Sequence, residues 1–218
     1  MMYTLRLYHD RFAPNTKTVQ DLEAQHSIAY IFEGSATVNG QAMKADTAIY
    51  CRDVTTIEAD SDGAWVWRWE LVRVEEANNI ARGEGITSHL RMSRRIKMFE
   101  LVPTSKWLFR LDSIDRNEGS TGLHSHPGSG IRCMLKGHLR VESEKGECSD
   151  SHHTGDVWYE EGSYPIVSTT DKGLKAFFLR GMVLPPEYET YRETAIWIEG
   201  KPGKGIWKNY LQKVVTLL

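Results

Sequence analysis

The stretch that decides the fold of this chain is GLHSHPGSGIRCMLKG, residues 122–137. Its two histidines, His124 and His126, are one residue apart, and side chains alternate with a period of two along an extended strand. Both imidazoles are therefore expected on one face, where they can converge on one metal ion. An isolated His-x-His is more often a pair of ordinary core or surface histidines. The interpretation as a metal site depends on the spacing from these histidines to Gly137, which ends the stretch, and to a downstream turn at Gly155-Asp156.

The composition is that of an ordinary globular protein. The chain has 218 residues, of which 40% are hydrophobic and 26% charged. A net charge of −2 gives no electrostatic signature of nucleic acid or of an anionic membrane as a partner. The odd number of cysteines (Cys51, Cys133 and Cys148) indicates reduced thiols. With no signal peptide visible and no long apolar segment, we expect a cytoplasmic protein that binds a small molecule.

Short apolar runs between turn signals predict β-strands along most of the chain. Asn39-Gly40 predicts a two-residue hairpin turn, and residues 144–146 predict a second hairpin. Residues 116–119 are interpreted as a turn, and residues 75–85 as a linker between two halves.

The second half of the chain repeats the order of signals in the first. Residues 30–34, Tyr-Ile-Phe-Glu-Gly, match residues 133–137, Cys-Met-Leu-Lys-Gly. Two copies of one strand-rich unit predict an all-β protein with two tandem barrels. We place the first domain at residues 1–88, including the linker, and the second at residues 89–218.

The central stretch resembles the first motif of the cupins, G-x5-H-x-H-x3-4-E-x6-G. Cupins are metal-binding jelly-roll barrels of the RmlC-like kind, built as a double-stranded β-helix. His124 and His126 match the two histidines, and Gly137 matches the closing glycine. The glutamate position of the motif holds Gly130, so that metal ligand is missing.

The second cupin motif, G-x5-P-x-G-x2-H-x3-N, is matched in part. Gly155-Asp156 open it, but its histidine position holds Ile166. In the first half, the register set by Gly34 places Asp21 and Glu23 at the histidine positions. The chain therefore resembles a bicupin with degenerate metal motifs, in which the first barrel binds no metal and supports the second.

The resemblance implies one divalent transition metal in the second barrel. Such an ion usually needs three or more protein ligands, and histidine donors suit iron, zinc, nickel or copper better than magnesium or calcium. His152 and His153 are the leading candidates for the third ligand, and we choose His153. Neighbouring histidines in a turn are, however, more often exposed to solvent. His138 and Glu160 are weaker candidates, because the faces that they occupy cannot be assigned.

Strand alternation places Arg132 on the same face as the two motif histidines. A buried guanidinium is costly unless it is paired, and this one is suited to hold a substrate carboxylate in a bidentate manner. The alternative is a salt bridge to a buried carboxylate such as Glu142 or Asp112. Tyr159 and Tyr164 are expected at the mouth of the cavity, where they would contact the substrate.

Two functions are compatible with these residues. The first is a metal-dependent enzyme, a dioxygenase before an isomerase, that acts on a small carboxylated substrate. The second is a non-catalytic bicupin that binds a small anion or a sugar without metal chemistry. The resemblance also implies a homodimer, to which the apolar tail at residues 214–218 would contribute. No motif for acyl transfer or nucleotide binding is present.

Overall fold

The computed structural model describes residues 2–96, 105–146, 148–200 and 205–217. The regular structure in these ranges is almost entirely β-strand, so the predicted all-β class is confirmed. The helical segment within them is a single 3₁₀ helix of 5 residues, Pro186–Thr190. No helix among these residues is long and apolar enough to cross a membrane.

The chain divides into two compact units, Met1–Phe99 and Glu100–Leu218. The domain boundary expected between residues 88 and 89 falls inside the last strand of the first unit, which pairs with the first strand of that unit. The described residues of the first unit form β1 (Tyr3–Phe12), β2 (Leu22–Val38), β3 (Gln41–Lys44), β4 (Thr47–Thr55), β5 (Ile57–Arg73) and β6 (Ile86–Ile96). Those of the second form β7 (Lys106–Ser120), β8 (Leu123–Ser125), β9 (Ser129–Gly137), β10 (Leu139–Ser143), β11 (Cys148–Ser151), β12 (Val157–Glu160), β13 (Ile166–Leu184), β14 (Ile196–Glu199) and β15 (Gly205–Thr216).

The pairing of strands follows the same order in both units. In the first unit β1 lies between β5 and β6, and β2 pairs with β3, β4 and β5. In the second unit β7 lies between β13 and β15, while β9 pairs with β12 and β10 with β11. Both β9 and β10 also pair with β13. The repeat seen in the sequence is therefore accompanied by a repeat in strand pairing.

Gly34 and Gly137, the matched glycines of the two halves, have the same structural cause. Both have positive φ, 75° and 97°. A Cβ on Gly34 would lie 2.0 Å from the carbonyl oxygen of Gly63, and one on Gly137 would lie 1.8 Å from that of Lys175. Only glycine fits where the long strand, β5 or β13, approaches so closely. The closing glycine of the sequence match is thus set by backbone packing.

Both predicted hairpins are confirmed. Asn39 and Gly40 have φ of 47° and 79° and join β2 to β3, as a type I′ turn requires. The second hairpin joins β10 to β11 around residues 144–146, with residue 147 outside the described ranges.

In each unit, a buried arginine from the first described strand holds a connecting segment in the later part of the unit. Arg6 on β1 donates to the carbonyl oxygens of Ala77 and Glu76 at 2.6 and 2.5 Å. Arg110 on β7 donates in the same way to Tyr191 and Arg192, at 2.6 and 3.1 Å. The segment interpreted as a linker is therefore fastened to the sheet.

The cysteines and the tail agree in part with expectation. All three cysteines are free, Cys51 and Cys133 buried and Cys148 exposed. Val215 and Leu217 of the apolar tail are buried within the chain itself. The homodimer therefore stays a prediction from resemblance, which a light-scattering mass would test.

Candidate functional site

The second unit contains a cavity that is partly open to solvent, and both motif histidines line it. Several strands contribute to its wall. Arg116 comes from β7, His124 from β8, Glu160 from the end of β12, and Arg180 from β13. His126 directly follows β8, where its backbone N–H donates to the carbonyl oxygen of Gly162 at 2.8 Å. Thr121, Ser168 and Glu193 add polar groups, and aromatic and aliphatic side chains complete the wall.

The two histidines are neutral and are oriented by backbone carbonyls. His124 Nδ1 lies 2.9 Å from the carbonyl oxygen of Gly122, and His126 Nδ1 lies 3.3 Å from that of Thr194. Because a carbonyl only accepts hydrogen bonds, the contact with Gly122 places the proton of His124 on Nδ1 and leaves a lone pair on its Nε2, whereas Nε2 of His126 faces the carboxylate of Glu160. Burial lowers the pKa of His124 to about 4 and also lowers the pKa of His126. The rings lie 5.1 Å apart and are almost perpendicular.

Glu160 supplies the carboxylate that the first motif lacks. In the pairing of β12 with β9 it lies opposite Gly130, the residue at the glutamate position. Its Oε2 lies 3.1 Å from His126 Nε2 and 2.6 Å from Arg132 Nη2. Its Oε1 accepts a 2.9 Å hydrogen bond from Trp158 Nε1. Burial raises the pKa of Glu160, but these three partners outweigh burial and hold the pKa well below its usual range.

Gly130 is required by the arginine two residues later. A Cβ on Gly130 would lie 2.7 Å from Arg132 Nη1 and 2.7 Å from the carbonyl oxygen of Gly181. The guanidinium instead donates to the carbonyl oxygen of Gly130 at 2.6 Å. The loss of the motif glutamate and the presence of the arginine are therefore one structural change.

Arg132 is fully buried and its charge is balanced by Glu160. The alternative of a buried salt bridge is therefore formed, but not with either partner proposed from the sequence. Glu142 is half exposed and pairs with Arg140, and Asp112 binds arginines of β7 and β13. Arg132 is not among the residues that line the cavity.

The remaining predicted site residues lie away from the cavity wall. His153 is in the turn between β11 and β12, where its backbone N–H donates to Asp156 Oδ2 at 2.8 Å. Tyr159 precedes the cavity residue of β12 by one position and therefore faces the opposite side. Tyr164 is 37% exposed, with Lys145 Nζ 3.2 Å from its ring centroid. His153 does not line the cavity with the two motif histidines, and its role as a metal ligand stays a prediction.

Arg116 is a cavity residue that sequence reasoning missed. The prediction of a turn at residues 116–119 is wrong, since β7 continues to Ser120. Arg116 is only 6% exposed and donates to Ser168 Oγ at 2.5 Å and to the carbonyl oxygen of Gly119 at 3.0 Å. In the part of the chain that the structure describes, no carboxylate lies within ion-pair distance of it, and its Nε has no hydrogen-bond partner. Burial lowers its pKa.

Comparison with known proteins connects this geometry to a fold. No family model and no curated protein sequence matches the chain. Oxalate decarboxylase from Lactobacillus farciminis, solved with formate, is similar with a TM-score of 0.55 and 12% identity over 88% of this chain and 79% of that chain. Oxalate decarboxylase from Bacillus subtilis has a TM-score of 0.53 and 13% identity over 83% of this chain and 68% of that chain.

A third similar structure is salicylate 1,2-dioxygenase from Pseudoaminobacter salicylatoxidans with gentisate. Its TM-score is 0.50 and its identity 13%, over 95% of this chain and 72% of that chain. The fold is cupin-like. At these identities the likeness shows the fold alone, so the chemistry of the cupin-like cavity has to be argued from its own residues.

Those residues fit a divalent metal in chemistry. His124, His126 and Glu160 offer two neutral imidazoles and one ionised carboxylate, a donor set typical of transition-metal sites. His126 Nε2 and Glu160 Oε2 are 3.1 Å apart, a distance at which either a proton or a cation can join them. Opposite His124 in the β8–β13 pairing stands Ile166, so the second motif adds no histidine here.

A tighter group of donor atoms lies elsewhere in the second unit. Among the described residues, one group of three metal-ligating side chains has all its donor atoms within 4.8 Å of one another, namely His138, Asp150 and His152. None of the three lines the cavity. The cavity set and this group are therefore separate candidates for metal binding.

Proposed function

We propose that this chain is a cupin-type enzyme whose second unit binds one divalent transition metal and acts on a small carboxylated substrate. The observation that carries the proposal is the cavity itself, which combines two neutral histidines and an ionised glutamate with a buried arginine that has no carboxylate partner. His124, His126 and Glu160 would hold the metal. When bound, an iron, zinc, nickel or copper ion would supply Lewis-acid chemistry or a binding position for O2.

The charge of the cavity supports an anionic substrate. Arg116 lines the cavity and has no carboxylate within ion-pair distance among the described residues. Arg180 also lines the cavity, and its guanidinium binds Asp112 at 2.7 and 2.9 Å. A bound carboxylate would receive hydrogen bonds from Arg116 and neutralise its charge. The apolar walls would exclude water around this ion pair and strengthen it. The similar solved structures are named for salicylate and oxalate, which are both small carboxylates.

We propose a dioxygenase as the first reaction class and an isomerase as the second. We also propose that the two units, which divide between Phe99 and Glu100, are tandem jelly-roll barrels with different tasks. The repeated strand pairing supports this division. In the first unit Asp21 and Glu23, which stand at the histidine positions, are both exposed. The first unit therefore supports the second without binding metal.

A non-catalytic module that binds a small anion or a sugar is the second candidate. The observation that favours it is the 2.6 Å contact between Arg132 Nη2 and Glu160 Oε2. The guanidinium already neutralises the carboxylate, so the cluster is balanced without a metal ion. Arg116 would bind an anion equally well in such a module.

Metal content separates the two candidates. The chain is reconstituted with iron(II), zinc, nickel or copper, dialysed, and analysed by atomic emission. Both proteins that are compared carry Asp150→Asn, which removes a ligand from the second group of donors. In this background we expect the chain with His124 and His126 to retain one equivalent of metal and His124→Ala/His126→Ala to lose it. If no metal is retained in that background with any of the four ions, the chain is the binding module.

Ligand binding tests the role of Arg116 in either candidate. Oxalate, formate, salicylate and gentisate are titrated calorimetrically into the wild type and Arg116→Gln. We expect at least one of them to bind, and Arg116→Gln to weaken that binding by about tenfold or more, in keeping with a lost charge-assisted hydrogen bond. The matched control is Arg140→Gln, which removes a half-exposed arginine paired with Glu142. Equal affinity in Arg116→Gln and Arg140→Gln would remove Arg116 from the binding site.

A further inference from the structure

The group formed by His138, Asp150 and His152 lies outside the cavity and has no part in the function proposed above. His138 Nε2 lies 2.7 Å from Asp150 Oδ1, and His152 Nε2 lies 3.2 Å from the same oxygen. The two imidazole rings are stacked with their centroids 4.1 Å apart. Two histidine nitrogens thus converge on one carboxylate oxygen, which is the donor set of a transition-metal site.

Backbone contacts hold the three side chains in place. The N–H of His138, which directly follows β9, donates to the carbonyl oxygen of Lys175 at 3.0 Å. Asp150 stands on β11 opposite Arg140 of β10. The backbone N–H of His152 donates to Asp156 Oδ2 at 2.9 Å. The donors are therefore presented by strands and by a fastened turn, unlike charges that meet by chance on a loop.

Asp171 on β13 adds a partner on the other side of the buried histidine. Its Oδ2 lies 3.2 Å from His138 Nδ1. Metal-ligating histidines commonly present their second nitrogen to a carboxylate, which keeps the proton on that nitrogen and leaves the first nitrogen free for the metal. His138 is 5% exposed. The burial and the two carboxylates together define one orientation for its ring.

The charges of the group are those that a divalent cation would balance. The carboxylates of Asp150 and Asp171 lie on either side of one buried imidazole ring. The side chain of His152 is half exposed, so an ion can reach its Nε2 from solvent. Three protein donors also leave positions for water on the ion.

We propose that His138, Asp150 and His152 bind one divalent transition metal, with Asp171 orienting His138. The ion would connect β11 to the start of β10 and, through Asp171, to β13. Zinc, nickel, cobalt and copper fit two imidazoles and one carboxylate better than magnesium or calcium do. The site is a structural clamp at the edge of the second unit and is independent of chemistry in the cavity.

The test uses the full chain with the cavity histidines removed, His124→Ala/His126→Ala. Zn²⁺ is titrated into it calorimetrically, and Co²⁺ is followed by its visible absorption. We expect one equivalent to bind, and Zn²⁺ to raise the melting temperature, because a ligand that binds only the folded state stabilises it. Adding Asp150→Asn or His152→Ala, both changes at half-exposed side chains, should weaken binding by at least tenfold.

The neighbouring histidine provides the matched control. His153 stands in the same turn and donates its backbone N–H to the same Asp156 oxygen, yet it is outside the group. His153→Ala should leave Zn²⁺ affinity unchanged, and Asp171→Asn should lower it by about 10- to 100-fold. Absence of binding in the His124→Ala/His126→Ala chain, or equal losses in His152→Ala and His153→Ala, would overturn the proposal. Metal binding in the cavity is measured separately, in the Asp150→Asn chain, so neither result decides the proposal about the cavity.

Discussion

The first unit balances its buried charges, whereas the second does not. Among the described residues, the first unit buries two arginines and two carboxylates, namely Arg6, Arg68, Asp10 and Glu70. The second unit buries four arginines and only two carboxylates, namely Arg110, Arg116, Arg132, Arg180, Asp112 and Glu160. The excess positive charge includes Arg116, which lines the cavity. This excess supports the proposal that the second unit receives an anion.

In the first unit, each nitrogen of the Arg68 guanidinium has a partner. Arg68 lies 3.0 Å from Asp10 through Nε, contacts Glu70 through Nη1, and donates from Nη2 to the carbonyl oxygen of Asn79 at 2.8 Å. The Asn79 side chain returns a 2.7 Å hydrogen bond to Glu70. Every charge in this network is matched by a neighbour, so it leaves no free donor for a ligand.

Breaking the closed network should have the largest effect. Arg68→Met leaves Asp10 and Glu70 buried without a cation, which typically costs about 3–5 kcal/mol of unfolding free energy. Urea denaturation measures the loss. The control, Arg52→Met, removes an exposed arginine 3.5 Å from Asp53 and should cost less than about 1 kcal/mol. A similar small loss in both variants would show that the network does not carry stability.

The buried histidines should make stability depend on pH with the same sign in both units. Burial, together with smaller contributions from Arg91, His89 and Arg11, lowers the pKa of His9 from 6.5 to about 3. Below pH 6.5 the unfolded chain therefore binds a proton that the folded chain does not, so stability falls as the pH falls toward 3. The slope from one such histidine is at most about 1.4 kcal/mol per pH unit.

His9→Phe tests this contribution in the first unit. The variant keeps a ring against Trp67, on which His9 stacks at a centroid distance of 4.8 Å, and removes the titrating group. Urea denaturation between pH 6.5 and 4 should show a shallower loss of stability than in the wild type. His124 keeps the remaining slope from zero, since its pKa is lowered to about 4. If the slope of unfolding free energy against pH were unchanged, the uptake of a proton by His9 on unfolding would not contribute to it.

The smallest effect on stability is expected at the unmatched arginine. Arg116→Gln leaves no carboxylate without a partner and removes three hydrogen bonds, while relieving a buried charge. The net change in unfolding free energy should stay within about 1 kcal/mol. Arg132→Gln, which leaves Glu160 buried without its cation, should cost several times more. If the two variants lost equal stability, the charge of Arg116 would have a partner after all.

The location of the site could be predicted from the sequence, but its full composition could not. His124, His126 and Gly137 are recognisable because strand alternation and a glycine at a close approach act over a few residues. Glu160 reaches the same place only through the register of β12 against β9, which local patterns do not specify.

Arg116 was missed for a related reason. Whether β7 ends at residue 116 or at Ser120 is decided by pairing with β13 and β15, strands far away in sequence. The all-β class and the hairpins, in contrast, could be predicted from local sequence. They depend on local alternation and on residues that favour positive φ, and both were predicted correctly.

The arginines that hold the two connections also determine when each unit can finish folding. Arg6 and Ala77 are 71 positions apart, and Arg110 and Tyr191 are 81 positions apart. Arg6 binds the segment before β6, the last described strand of its unit, and Arg110 binds the segment between the 3₁₀ helix and β14, the last but one. During synthesis, a unit therefore cannot close until nearly all of its sequence has been made, and contacts of such long range are slow to form. The second unit reaches its final form last, so the cavity becomes available only when the chain is almost complete.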